Sequence, residues 1–227
     1  MPTQLYEKEI TMMALKVNVG CGATPTPGWE NFDNSITVRL ARYPRIVNVL
    51  ARCGILNEDQ AQYARLLPKL GVSWADARRR IPLLDNSAMV VYSSHMLEHL
   101  DPQSARNFLS EAWRVLVPGG ILRIVVPDLN QLVRRYLETQ DADAFVRATL
   151  LAAPPPHGAL AKLRYLVVGH RDHLWMYDGA SLVRLLHSHG FVEGTVVPPG
   201  QTGIPDPGDL NLREREGESV YVEAKKP

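Results

Sequence analysis

Three observations in this sequence predict an α/β sheet with helices on both faces. Short apolar runs suited to strands, among them LKVNV (15–19), AMVVYS (88–93) and ILRIVVPD (121–128), alternate with stretches of helical spacing. The first run ends in Gly20-Cys21-Gly22, a tight turn of the kind that follows a buried strand. The last two runs, FVEGTVV (191–197) and SVYVEAKK (219–226), flank a polar loop rich in Pro and Gly, which allows an antiparallel pair at the sheet edge. At 227 residues and 45% hydrophobic content, a single domain spanning 1–227 is expected.

The elements follow in order. After LKVNV only ATPTPG precedes the second strand, WENFD, which is too short and too broken by proline for a full crossover helix. The first helix is therefore expected to be truncated. Residues 35–70 carry apolar positions at mixed helical spacing, with Pro44 and Gly54 as breakers, and predict two or three short helices forming an inserted cap. GVSWAD gives a brief third strand, and AMVVYS, after the turn LLDNS, a fourth.

From Asp101 a helix start is marked by an N-cap aspartate, Pro102 at the first helical position, and Ala105, Phe108, Leu109, Ala112, Trp113 and Leu116 on one face. Pro118-Gly119-Gly120 should end it. ILRIVVPD is continuously apolar, as a central parallel strand covered on both faces must be, and Asp128 caps another helix. Residues 129–168 read as helical, interrupted by APPPHG (153–158). A second insertion is placed at about 141–177, and Asp178 caps a helix that stops at Gly190.

Ligands of such sheets bind at the carboxyl ends of the strands, which directs attention to Gly20, Asp33, Asp76, Ser94 with His95, and Asp128. His95-Met96-Leu97-Glu98-His99 also spells H-x-x-E-H, a zinc-peptidase pattern. That chemistry needs a helix carrying both imidazoles and a third ligand. Pro102 starts a new helix only three residues after His99, and no third ligand is evident, so no metal is expected. A nicotinamide-binding G-x-G-x-x-G fails at its third glycine, since position 25 is Pro and no long helix follows.

Four stretches in order, VNVGCG, NFD, DARRRIPLLDNSAMVVYSSHMLEHL and EAWRVLVPGGILRIVVPD, resemble the class I S-adenosylmethionine (SAM) dependent methyltransferases. The likeness is to the small bacterial methyltransferase type 11 group, related to the ubiquinone-biosynthesis methyltransferases. It implies a seven-stranded Rossmann-like sheet of order 3-2-1-4-5-7-6 with the last strand antiparallel, and SAM as cofactor. It also implies that Gly20, Cys21 and Gly22 form the turn against the cofactor, Asp33 accepts from the ribose hydroxyls, and Asp76 with the Ala77 backbone meets the adenine. Asn18 departs from the family, where an acidic residue often receives the ammonium group, so that task falls to backbone carbonyls and to Ser94 or His95, the alternative for either residue being simply to end the strand.

Methyl transfer to a hydroxyl requires a base, and His170, His173 and His95 are the catalytic candidates, with Asp128, Asp172 and Tyr177 behind them. GHRDHLWMYD (169–178) is expected to return over the strand ends. Trp74, Trp175, Tyr43, Tyr63 and Tyr177 either stack on an acceptor ring or fill the cap core. The implied function is methyl transfer to a small-molecule acceptor, a hydroxyl of a sugar or natural-product intermediate. The alternative is a non-catalytic SAM-binding scaffold or regulatory subunit.

Lys plus Arg (25) balance Asp plus Glu (24), which disfavours nucleic acid as a partner. Two cysteines and a start without a long apolar run point to a cytoplasmic protein with no membrane segment; a homodimer stays open.

Overall fold

In the computed structural model, which describes residues 15–151, 158 and 172–227, seven strands form one sheet. They are β1 (Leu15–Val19), β2 (Glu30–Asp33), β3 (Val72–Trp74), β4 (Ala88–Ser94), β5 (Leu116–Pro127), β6 (Val192–Val197) and β7 (Ser219–Lys225), in the order β3-β2-β1-β4-β5-β7-β6. Strands β1 to β5 pair in parallel, while β7 runs antiparallel to both β5 and β6. This is the expected order.

Alternation along the strands divides the core into two faces. Val17, Val19, Val91, Leu122, Ile124 and Val222 join Phe108 and Leu109 of α4 (Pro102–Val115) and Leu182 and Leu186 of α7 (Gly179–Ser188). Val90, Tyr92, Val125 and Tyr221 point the other way, where Trp29 and the β6–β7 connection, through Ile204 and Leu210, cover them. Both helices begin as their caps predict: Asp101 accepts from the Gln103 and Ser104 amides, and Asp178 from Ser181.

The crossover between β1 and β2 contains no helix at all. Two buried asparagines replace it. Asn18 donates to Thr26 Oγ1 at 3.0 Å, and Asn31 accepts from the Thr26 amide at 2.8 Å while donating to Thr26 O and Trp29 O. These bonds satisfy backbone groups that a helix would otherwise pair. The cap is three short helices, α1 (Ile36–Leu40), α2 (Pro44–Arg52) and α3 (Glu58–Leu66), with its own small cluster of Val47, Ile55, Leu56, Ala61 and Ala64.

The fifth strand differs from expectation. It starts at Leu116, not at Ile121, and Leu116 belongs to it instead of to the helix, which ends at Val115. Leu116 pairs with Ala88, and the Gly119 amide donates to Lys226 O while Lys226 N donates to Gly120 O. The glycines are thus held by the chain end beyond β7. After β5 come α5 (Leu129–Thr139) and α6 (Ala142–Thr149), separated at Gln140, whose φ is 55°. Among the described residues no helix is long and apolar enough to cross a membrane.

Candidate active site

The carboxyl ends of β1, β2 and β3 meet around the glycine turn. The Gly20 and Cys21 amides donate to Phe32 O, and Gly20 adopts φ 71° with Met96 packed against it. A Cβ at Gly20 would lie 2.5 Å from Met96 Cγ, so only glycine fits. The Asp33 carboxylate accepts from the Gly22 amide at 3.1 Å and from the Ser35 amide at 2.7 Å. The Tyr63 hydroxyl, on α3 of the cap, donates to Gly22 O. Tyr63 therefore seals the turn. The Cys21 thiol between these groups is 3% exposed, and burial together with the charge of Asp33 pushes its pKa up to about 12. Cys21 is a packing residue, inert as a nucleophile.

Asp76 follows β3, whose Trp74 is the register partner of Asp33. The Arg78 guanidinium grips its two oxygens at 2.8 Å each, and this pairing holds the Asp76 carboxyl below the usual carboxylate range. Arg78, itself exposed, is thus the arginine of the Arg78-Arg79-Arg80 run that pairs most closely with Asp76. An adenine amino group would have to share Asp76 with it. Ala77 is buried in the main core, so only its backbone can serve a ligand.

Three buried oxygens at the ends of β1 and β4 have no hydrogen-bond partner: Asn18 Oδ1, Ser93 Oγ and Ser94 Oγ. An orphaned buried oxygen is costly unless a ligand pairs it. Asn18 combines that vacancy with the structural bond to Thr26. His95, next to Ser94, is in the left-handed region at φ 50°, an uncommon state for a non-glycine residue. Its Nδ1 is 3.2 Å from Glu98 Oε1 and its Nε2 3.0 Å from Ser219 Oγ. A carboxylate only accepts, so the first contact, shorter than the 3.4 Å approach of the Arg215 guanidinium to the same nitrogen, favours the ring proton on Nδ1.

Beyond the ends of β4 and β5 lies a cavity of about 310 Å³ lined by His95, Pro127, Gln131, Arg135, His173 and Arg215, among others. Of the chain from 172 to 178, His173 lines it, while the Leu174 and Trp175 amides donate to Glu98 O and the Leu129 amide to Tyr177 O. His173 is 6% exposed with Nδ1 2.8 Å from Thr149 O, and burial lowers its pKa. Tyr177 is buried in the core with its hydroxyl pushed up to about 12 by that burial, and Asp128 is occupied as the cap of α5. Neither is placed to take a proton. His170 lies outside the described residues.

Of the aromatic candidates, Trp74 is covered by Arg39, with the guanidinium 3.6 Å from the ring centroid, while Tyr43 and Trp175 are exposed. The sequence reading missed Asn31, Arg135, Arg215 and Ser219. An asparagine alternating inward in β2 was a signal for the first. Nothing local marks Arg215 or Ser219, which reach His95 from the far end of the chain.

A family model described as "Methyltransferase domain" matches residues 37–124. No curated protein matches the chain. Among solved structures, it is similar to a SAM-dependent methyltransferase from Thermotoga maritima, described as a possible histamine N-methyltransferase, at 18% identity and TM-score 0.51, covering 99% of this chain and 96% of that one. A SAM-dependent methyltransferase from Methanosarcina mazei matches at 17% identity and TM-score 0.51, over 98% and 96% of the two chains. At such identities the likeness is one of fold. SAM fits the residues present: the orphaned Asn18 Oδ1 can accept from its ammonium, Ser94 Oγ can meet its carboxylate, and the open space at Gly22 leaves room for close approach. The match over residues 37–124 and the sheet order make the chain similar to the SAM-dependent methyltransferases and give it their fold.

Proposed function

We propose that the chain is a SAM-dependent methyltransferase acting on a hydroxyl of a small acidic acceptor, such as a sugar acid or a natural-product intermediate, held in the cavity beyond β4 and β5. The observation that carries this reading is the cavity wall: an imidazole oriented by a buried carboxylate, with two guanidinium groups beside it. Bound SAM supplies a methyl group made electrophilic by its sulfonium. The protein must hold the acceptor in line with that methyl, exclude water, and accept one proton.

His95 adjoins Met96, which rests on Gly20, so the cavity wall is continuous with the cofactor turn. With Nδ1–H directed at Glu98, His95 offers Nε2, now on the Ser219 hydroxyl, to the acceptor proton. His173, on the same wall, has its pKa lowered by burial. Arg135 and Arg215 give the acceptor's acidic group a place to pair.

Screening hydroxylated acids against their neutral counterparts tests the substrate class. On the best acceptor, His95→Ala is expected to lower turnover by about 10²- to 10⁴-fold with SAM affinity nearly unchanged. Replacing Arg135 and Arg215 by Ala should raise KM more than it lowers kcat. Full activity in His95→Ala would remove His95 as the base.

A further inference from the structure

Glu98 is 1% exposed; its Oε1 faces His95 Nδ1, but its Oε2 is buried and has no hydrogen-bond partner. His99 and His173 stand beside it with ring centroids 5.1 Å apart, and one ligand-capable atom from each of the three residues lies within 4.8 Å of the other two. Both imidazoles are oriented from behind by backbone carbonyls: His99 Nδ1 is 2.9 Å from Asp172 O, and His173 Nδ1 is 2.8 Å from Thr149 O. Carbonyls only accept, so Nδ1 carries the proton in each ring and Nε2 keeps a lone pair. A proton shared with Glu98 does not account for the group, because His99 Nε2 is 4.0 Å from Glu98 Oε1.

We propose that Glu98, His99 and His173 together bind one divalent transition-metal ion. Two lone pairs and a carboxylate oxygen lacking a donor form a set that a cation stabilises. The bond from Nδ1–H to a carbonyl is the usual orientation device of metal-ligating histidines. Two imidazoles and one carboxylate favour the zinc-like metals over magnesium or calcium, which take oxygen ligands. At bond lengths of about 2.0–2.2 Å, tetrahedral ligand atoms sit roughly 3.4 Å apart, so the three groups close by about an ångström on binding.

The sequence alone argued against metal because no third ligand follows His99. The fold supplies one from the segment whose Leu174 and Trp175 amides grip Glu98 O. His173 also lines the cavity, so a position left open on the ion can take a water or an acceptor oxygen. Polarising an acceptor hydroxyl while His95 takes its proton would be the ion's part in methyl transfer, a role that rests on the function proposed above.

The test uses the full chain, free of any tag and stripped with a chelator, titrated with Co²⁺ alone and then with Zn²⁺ alone. One equivalent of Co²⁺ should bind with visible d–d absorption of a four- or five-coordinate site, and one equivalent of Zn²⁺ should displace it. His99→Asn and His173→Asn should each weaken Co²⁺ binding by more than about 100-fold, while His189→Gln, outside the site, leaves it unchanged. Circular dichroism identifies a variant that fails to fold, in which case the other decides. The proposal is overturned if the parent binds neither ion saturably, or if binding is unaltered in both variants. SAM binding to the metal-free chain, measured separately, shows whether the methyltransferase reading stands on its own.

Discussion

Gly20 and Gly22 read alike in the sequence, one on each side of Cys21, yet the space around them differs. Both have positive φ, 71° and 48°, but a Cβ on Gly20 would strike Met96, whereas one on Gly22 meets nothing within 4 Å. Gly22→Ala should cost about 1 kcal/mol, the backbone penalty alone. Gly20→Ala adds overpacking and should cost about 2–4 kcal/mol in urea unfolding. Adding Met96→Ala should recover part of that difference, because the two residues share one contact. Equal costs for the two glycines would contradict the placement of Met96. The residue types of the turn were legible in the sequence; the packing that separates them was not, since Met96 arrives from a distant loop.

At the scale of elements, β5 and β7 are tied by an ion pair that the apolar look of ILRIVVPD conceals. Arg123, fully buried, is the register partner of Glu223 and donates to it and to Gln201 O. Glu223 also accepts from Thr202 Oγ1 and the Gly203 amide, so these two strands anchor the connection whose Ile204 and Leu210 close the second face. Glu223→Ala leaves a buried guanidinium without its counter-ion and should destabilise the chain by about 3–5 kcal/mol. Glu223→Gln, which keeps one acceptor oxygen for either Thr202 or Gly203, should cost less. A loss under about 1 kcal/mol in Glu223→Ala would mean that the connection is held by its apolar residues alone. A charged residue inside a buried strand was the available clue, with Glu223 in SVYVEAKK its natural partner. The starts of α4 and α7 were read correctly because Asp101 and Asp178 act locally.

At the scale of the whole molecule, strand existence followed from apolar runs, but strand order came from the family resemblance, since periodicity says nothing about neighbours. The convergence of Gly20, Asp33, Asp76 and Ser94 on one edge followed from strand ends being where an α/β sheet binds ligands. His95, Glu98 and Ser219 form a unit only because β7 returns beside β5, with Ser219 paired to Pro127. Contacts of that range leave no trace in a local pattern. The central claim, that the glycine turn and Asp33 hold SAM, is tested most directly by calorimetric titration of the folded chain with SAM, alongside Asp33→Ala. One SAM per chain is expected, with binding weakened in the variant by about 1.5–3 kcal/mol, the cost of a lost charge-assisted hydrogen bond. No binding to the folded parent, or the same affinity in Asp33→Ala, would contradict it.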